Sequence, residues 1–139
     1  MRFLIINGPN LNLLGRREPE IYGAATYDDL CRMAAAWCES HGHSASFFQS
    51  NHEGDIIDAI QESDGKYDGI VINPGAFAHY SYAIHDAIRA VSVPAVEVHI
   101  SDIHTREKWR NLSVTAPACR GMICGMGIDG YCKAMEMLA

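Results

Sequence analysis

Positive charge is scarce in this sequence: 11 Lys and Arg stand against 17 Asp and Glu, for a formal net charge of -6. With no run of five like charges either, the chain lacks the basic surface that holds nucleic acid through its phosphates, and no nucleic-acid partner is expected. Any anionic ligand must then be met by a few placed arginines. Long apolar runs are missing as well. The one near the start, residues 3–6, is flanked by Arg2 and Asn7 and falls far short of the roughly 20 residues of a membrane helix. A cytoplasmic protein with no membrane partner is the expectation. The five cysteines form no C-x-x-C pair and sit in apolar patterns, so they read as reduced small hydrophobes, with neither a disulfide nor a zinc role.

What is present suffices for one folded unit. The 139 residues are 48% hydrophobic, enough to bury a core, and a single domain over 1–139 is expected. Short β-branched runs recur at 3–6, 46–48, 69–72, 95–98 and 121–124, separated by helical patterns. Leu30, Met33, Ala34, Trp37 and Cys38 follow i, i+3, i+4, i+7 and i+8, one apolar face of a helix that Thr26 with Asp29 starts and Gly42 stops. Ile56, Ile57 and Ile60 mark a second helix, with Ser50 and Glu53 at capping-box spacing. Ile84, Ala87, Ile88 and Val91 mark a third, stopped near Pro94, and Ala134, Met135 and Leu138 a fourth after Gly127. Strands alternating with helices predict an α/β, three-layer, doubly wound parallel sheet of five strands, flavodoxin-like, in the order 2-1-3-4-5.

Ligands of such sheets bind beyond the carboxyl ends of the strands. There the sequence places Asn7-Gly8-Pro9-Asn10, Gln49 to His52, Asn73-Pro74-Gly75-Ala76 and Glu97-Val98-His99. Residues 8–25 are long for a strand-to-helix connection, where about 2–6 residues is usual, and read as a lid. That loop carries Arg16, Arg17 and Tyr22, and an arginine beside a phenol favours its ionised, basic form. It holds neither G-x-G-x-x-G nor G-x-x-x-x-G-K-[ST], so nucleotide binding is disfavoured. Glu97 and His99 share a strand face and converge with Asn73 and His79, a titratable cluster of the kind found in active sites. His99, His104 and Asp102 also admit a metal-hydrolase reading, but no fixed ligand spacing supports it, and no metal is expected. Asn51 and His52 read as serving the start of the second helix, and His41, His43 and His85 as exposed helix or loop positions. The residues alone reach a cofactor-free enzyme with an arginine-rich lid, or else a module that only binds a carboxylate.

The stretches "INGPNLNLLGRREPEIYG", "QSNHEGDIIDAI", "INPGAFAHYSYAIHDAI", "VEVHISDIHTREKWR" and "GMICGMGIDGY" resemble the type II 3-dehydroquinate dehydratases along the whole chain. The resemblance implies a hydro-lyase, usually a dodecamer built from trimers. It converts 3-dehydroquinate to 3-dehydroshikimate by anti elimination through an enolate, without metal, imine or cofactor, in aromatic biosynthesis or quinate breakdown. It further implies Tyr22 as the base that takes the C2 proton and Arg17 as the arginine beside it. Asn10 would hold a water on the enolate oxygen. His99 would be the acid on the departing C1 hydroxyl, oriented by Glu97. Asn73, His79, Arg110 and the backbone of Ile100 and Ser101 would bind substrate, with Asp86 reaching in from a neighbouring subunit. Four positions depart from the family pattern, Ala116 and Arg120 among them, and two of the four lie near the expected substrate. Ala78 stands where Thr is common, and Asp102, where Asn is usual, would weaken binding of the substrate carboxylate unless it turns away.

Overall fold

The computed structural model describes residues 1–16 and 18–139. Five strands, β1 (Arg2–Asn7), β2 (Ser44–Gln49), β3 (Gly69–Asn73), β4 (Ala95–His99) and β5 (Gly121–Cys124), form one sheet. All pairings are parallel, in the order β2-β1-β3-β4-β5. β1 from its second residue on, and all of β3 and β4, are buried, which is why they read as unbroken apolar runs instead of alternating ones. Alternate residues nevertheless serve different cores. Phe3, Ile5, Val71, Val96 and Val98 pack under helices α2 (Tyr27–Ser40) and α5 (Asp129–Leu138). Leu4, Ile6, Ile70, Ile72 and Ala95 pack under α3 (Glu53–Glu62) and α4 (Tyr82–Ala90). The expected three-layer flavodoxin-like architecture is the one found.

Local signals vary in how well they hold. Thr26 and Asp29 close a capping box on α2, and Gly42 follows its end with a φ of 75°, a conformation glycine adopts without cost. The box expected from Ser50 and Glu53 does not form. Ser50 Oγ instead accepts from the His52 amide at 2.9 Å and donates to Asp55 at 2.8 Å, a tight turn that leaves His52 as the N-cap without a side-chain bond. The Glu53 carboxylate looks outward to α4, where it accepts from Ser81 Oγ. Asn51 also leaves the helix start. Its Oδ1 accepts from the Asn10 amide at 3.0 Å, tying the β2 end to the first loop. His85 is half-buried, and its ring bonds the Val114 carbonyl at 2.8 Å. His43 is likewise half-buried, in ring contact with Phe3 and Trp37. Neither is the exposed position the sequence suggested.

Candidate active site

The strand ends meet because two loops interlock. Asn7 and Asn73 are register partners at the ends of β1 and β3, and the Gly8 amide donates to the Asn73 carbonyl at 2.7 Å. A Cβ on Gly8 would lie 2.4 Å from the Pro74 oxygen, so only glycine allows this backbone approach. The loop then turns through Asn10 in the left-handed region, with φ 71°, and a 3-10 turn over Leu11–Leu13 whose Leu11 is buried. The expected lid is partly helical. It carries the short helix α1 (Pro19–Tyr22), opened by proline at its first position. Arg17 lies outside the described residues.

Beyond the ends of β1, β3 and β4 lies a cavity of about 90 Å³. Asn10, Tyr22, Asn73, His79, His99, Ile100, Ser101 and Arg110, all expected site residues, line it together with Arg106. Glu97 stands behind His99, and Asp86 lies exposed on α4, outside the cavity. One wall is the β4 end. Glu97 is completely buried, with its Oε2 2.7 Å from His99 Nε2. Ser113 Oγ donates to Oε2 at 2.6 Å, and Thr115 Oγ1 donates to Oε1. A buried carboxylate is tolerable only when donors surround it. Here three do, and two of them come from a loop 16 and 18 residues away. They leave the His99 ring fixed through Nε2, and no hydrogen bond engages its Nδ1 among the described residues. The His79 ring lies 6.0 Å from that of His99, and His79 Nδ1 donates to the Leu112 carbonyl at 2.8 Å. Burial holds its pKa below the usual 6.5.

Tyr22 lines the same cavity, and it has a partner that the sequence did not single out. Arg106 Nη1 donates to the Tyr22 hydroxyl at 2.5 Å, its guanidinium sits 4.9 Å from the ring centroid, and it reaches Ser101 Oγ at 3.3 Å. Arg106 is nine-tenths buried, and Glu18 of the lid lies 3.9 Å from it. Glu107 Oε2 accepts from Arg110 Nε at 2.6 Å and lies 3.8 Å from Arg106 Nε, so one carboxylate spaces the two arginines. The sequence signal was thin: an arginine in an irregular crossover, 84 positions from the tyrosine it meets. Arg16 makes no ion pair among the described residues.

Asp102 is taken up by its own loop. Its Oδ1 accepts from the His104 amide at 3.0 Å, and it lines not the first cavity but a second one, of about 590 Å³, that shares Tyr22, Ile100, Ser101 and Arg106 with it. The metal reading therefore loses its ligands, and no three His, Cys, Asp or Glu side chains converge on a metal position among the described residues. Gly125 and Gly127 line that second cavity, in a stretch from Gly125 to Gly130 with the G-x-G-x-x-G spacing of a phosphate loop. Two of the amides such a loop would offer are already spent: Gly125 N donates to the His99 and Ser101 carbonyls, and Gly127 N to that of Ile100.

Comparison with known proteins identifies the family. The family model described as dehydroquinase class II matches residues 1–139. The chain belongs to the dehydroquinase class II family. Within it, the 3-dehydroquinate dehydratase of Thermotoga neapolitana is 57% identical over 98% of this chain and 92% of its own. The crystal structure of the type II dehydroquinase from Butyrivibrio crossotus superposes with a TM-score of 0.97 at 53% identity, covering 99% of this chain and 97% of that one. That of Propionibacterium acnes gives 0.94 at 39%, over 99% and 94%. No helix among the described residues is long and apolar enough to cross a membrane.

Proposed function

We propose that this chain dehydrates 3-dehydroquinate to 3-dehydroshikimate, a step of the shikimate pathway, and does so in the cytoplasm by anti elimination through an enolate. Tyr22 removes the proton from C2, α to the ketone. Charge then gathers on the carbonyl oxygen, where Asn10 holds a water, and His99 gives a proton to the departing C1 hydroxyl. Arg17 is the arginine assigned beside this base, Arg106 donates to its phenolic oxygen, and Glu97 orients His99. Asn73, His79, Arg110 and the backbone of Ile100 and Ser101 bind the substrate.

The observation that carries this reading is the pairing of a base and an acid on one cavity. A tyrosine accepting a charge-assisted bond from Arg106 at 2.5 Å and a histidine backed by a buried glutamate at 2.7 Å line the same cavity of about 90 Å³. The α C–H is far less acidic than any side chain, so the enolate must be stabilised as it forms, at about 3 kcal/mol per well-aimed donor. Hydroxide leaves poorly, so an acid is needed on the other face. Purified protein treated with a chelator is expected to convert 3-dehydroquinate to a conjugated enone, followed by its ultraviolet absorption. Tyr22→Phe is expected to lower kcat by about 10²–10⁴-fold, the usual worth of a positioned base, and Arg106→Ala by about 10²–10³-fold, with circular dichroism unchanged. Full activity in Tyr22→Phe would end this assignment of the base.

A further inference from the structure

Tyr131 is the largest fully buried side chain among the described residues, and its hydroxyl does not end among apolar neighbours. It sits between the two strand-end asparagines, donating to Asn7 Oδ1 at 2.6 Å and accepting from Asn73 Nδ2 at 3.0 Å. The preceding Gly130 makes this reach possible. A Cβ there would meet Val98 at 3.3 Å and Ile123 at 3.4 Å, so glycine lets α5 settle closely onto β4 and β5 and carries the Tyr131 oxygen to the carboxyl end of the sheet.

The direction of this chain of bonds is set by a group that cannot turn over. The Gly75 backbone N–H can only donate, and it donates to Asn73 Oδ1 at 3.1 Å. Asn73 must therefore face Tyr131 with its NH₂, the Tyr131 oxygen must accept, and its proton goes to Asn7 Oδ1. Asn7 shows that the order is imposed from the Asn73 side. Its Nδ2 is buried without a hydrogen-bond partner among the described residues, although the phenol of Tyr27 stands nearby. Turning Asn7 over would bring Nδ2 to Tyr131, and it would strand the tyrosine proton instead. With one N–H and one lone pair spent, Asn73 keeps one N–H and one lone pair for the cavity it lines.

We propose that Tyr131 is a positioning residue of this site: the Gly75 N–H selects the orientation of the Asn73 amide, and the Tyr131 hydroxyl is the second tether that keeps it there, so that an N–H and a lone pair meet a hydroxyl group of the substrate in fixed places. The inference rests on the reading above, in which Asn73 binds 3-dehydroquinate. Without the Tyr131 hydroxyl, an Asn73 N–H is left buried and unpaired and only the Gly75 bond tethers the amide, so binding weakens more than chemistry.

The test is a double-mutant cycle on kcat and KM for 3-dehydroquinate, using wild type, Tyr131→Phe, Asn73→Ala and the double variant. Tyr131→Phe is expected to raise KM about tenfold, with kcat within about threefold, as for a lost partner of a buried donor. In the Asn73→Ala background the same change is expected to leave KM within about twofold. A purely structural tyrosine would shift both backgrounds equally, and that result overturns the proposal, as does an unchanged KM in Tyr131→Phe. Asn7→Leu, which removes the acceptor of the tyrosine proton and does not line the cavity, is expected to raise KM in the same way and serves if Tyr131→Phe does not fold. A wild type that leaves 3-dehydroquinate unchanged overturns the functional reading and this role with it. An active wild type with additive variants overturns this role alone.

Discussion

At the scale of single residues, His79 shows how burial and one backbone bond assign a role to an imidazole. The Leu112 carbonyl can only accept, so Nδ1 carries the proton. Burial, together with the charges of His99 and Arg110, lowers the pKa below 6.5 against the opposing pull of the Leu112 bond. The ring is therefore neutral at pH 7, with Nε2 an acceptor for a substrate hydroxyl. KM for 3-dehydroquinate is expected to stay level above pH 6.5 and to rise below it as His79 charges, and His79→Asn is expected to remove that rise. Stability moves in the same direction. The unfolded chain, with an ordinary imidazole, takes up its proton first as pH falls through 6.5, so the group's contribution is complete above that value and is lost below it. Urea melts at pH 7.5 and 5.5 are expected to show the difference shrink in His79→Asn. Asp102 belongs to the same scale. A carboxylate feared as a repulsive neighbour is spent on its own loop at His104, a local bond available to Asp and Asn alike.

At the scale of elements, the site depends on backbone touching backbone. Gly8 packs on Pro74, and Gly75, with φ 61°, would place a Cβ 3.1 Å from the Pro9 oxygen. The loops after β1 and β3 thus interlock through two glycines, one beside each of the asparagines that Tyr131 joins. Gly8→Ala is expected to cost about 1–3 kcal/mol of stability, the usual penalty for forcing extra volume into a packed site, read as a lower urea midpoint. It is also expected to lower kcat/KM by moving Asn10 and Asn73 apart. The long helices α2 to α5 were all visible as apolar periodicity over several turns. α1, four residues long, and the 3-10 turns at Leu11–Leu13 and Lys108–Arg110 were not, because a single turn shows no period to read. Ser50 and Glu53 had the spacing of a capping box without becoming one, since tertiary partners in Asp55 and Ser81 outbid the local bond.

At the scale of the whole molecule, the exposed Tyr80, Trp109 and Leu112 gather around His79 beside the site, and Asp86 stands exposed outside its own cavity. The resemblance implies a dodecamer of trimers in which a neighbouring subunit's Asp86 reaches the site, and an Asp86 exposed away from its own cavity is what that proposed assembly requires. Light scattering is expected to give a multiple of three subunits, and Asp86→Ala to lower kcat/KM about tenfold, the scale of one lost charged contact at an interface; a fully active monomer would rule this assembly out. By itself the sequence determined the order of strands and helices, and with them the sheet topology, because apolar period and right-handed crossovers leave few alternatives. It also marked Tyr22, His99, Glu97, Asn73 and His79, which stand at strand ends or within recognisable motifs. Only the tertiary structure decided that Arg106 meets Tyr22, that Ser113 and Thr115 hold Glu97, and that Tyr131 joins Asn7 to Asn73. Those pairs lie between 16 and 124 residues apart, and no period or local spacing records a contact that exists only after the sheet has been assembled.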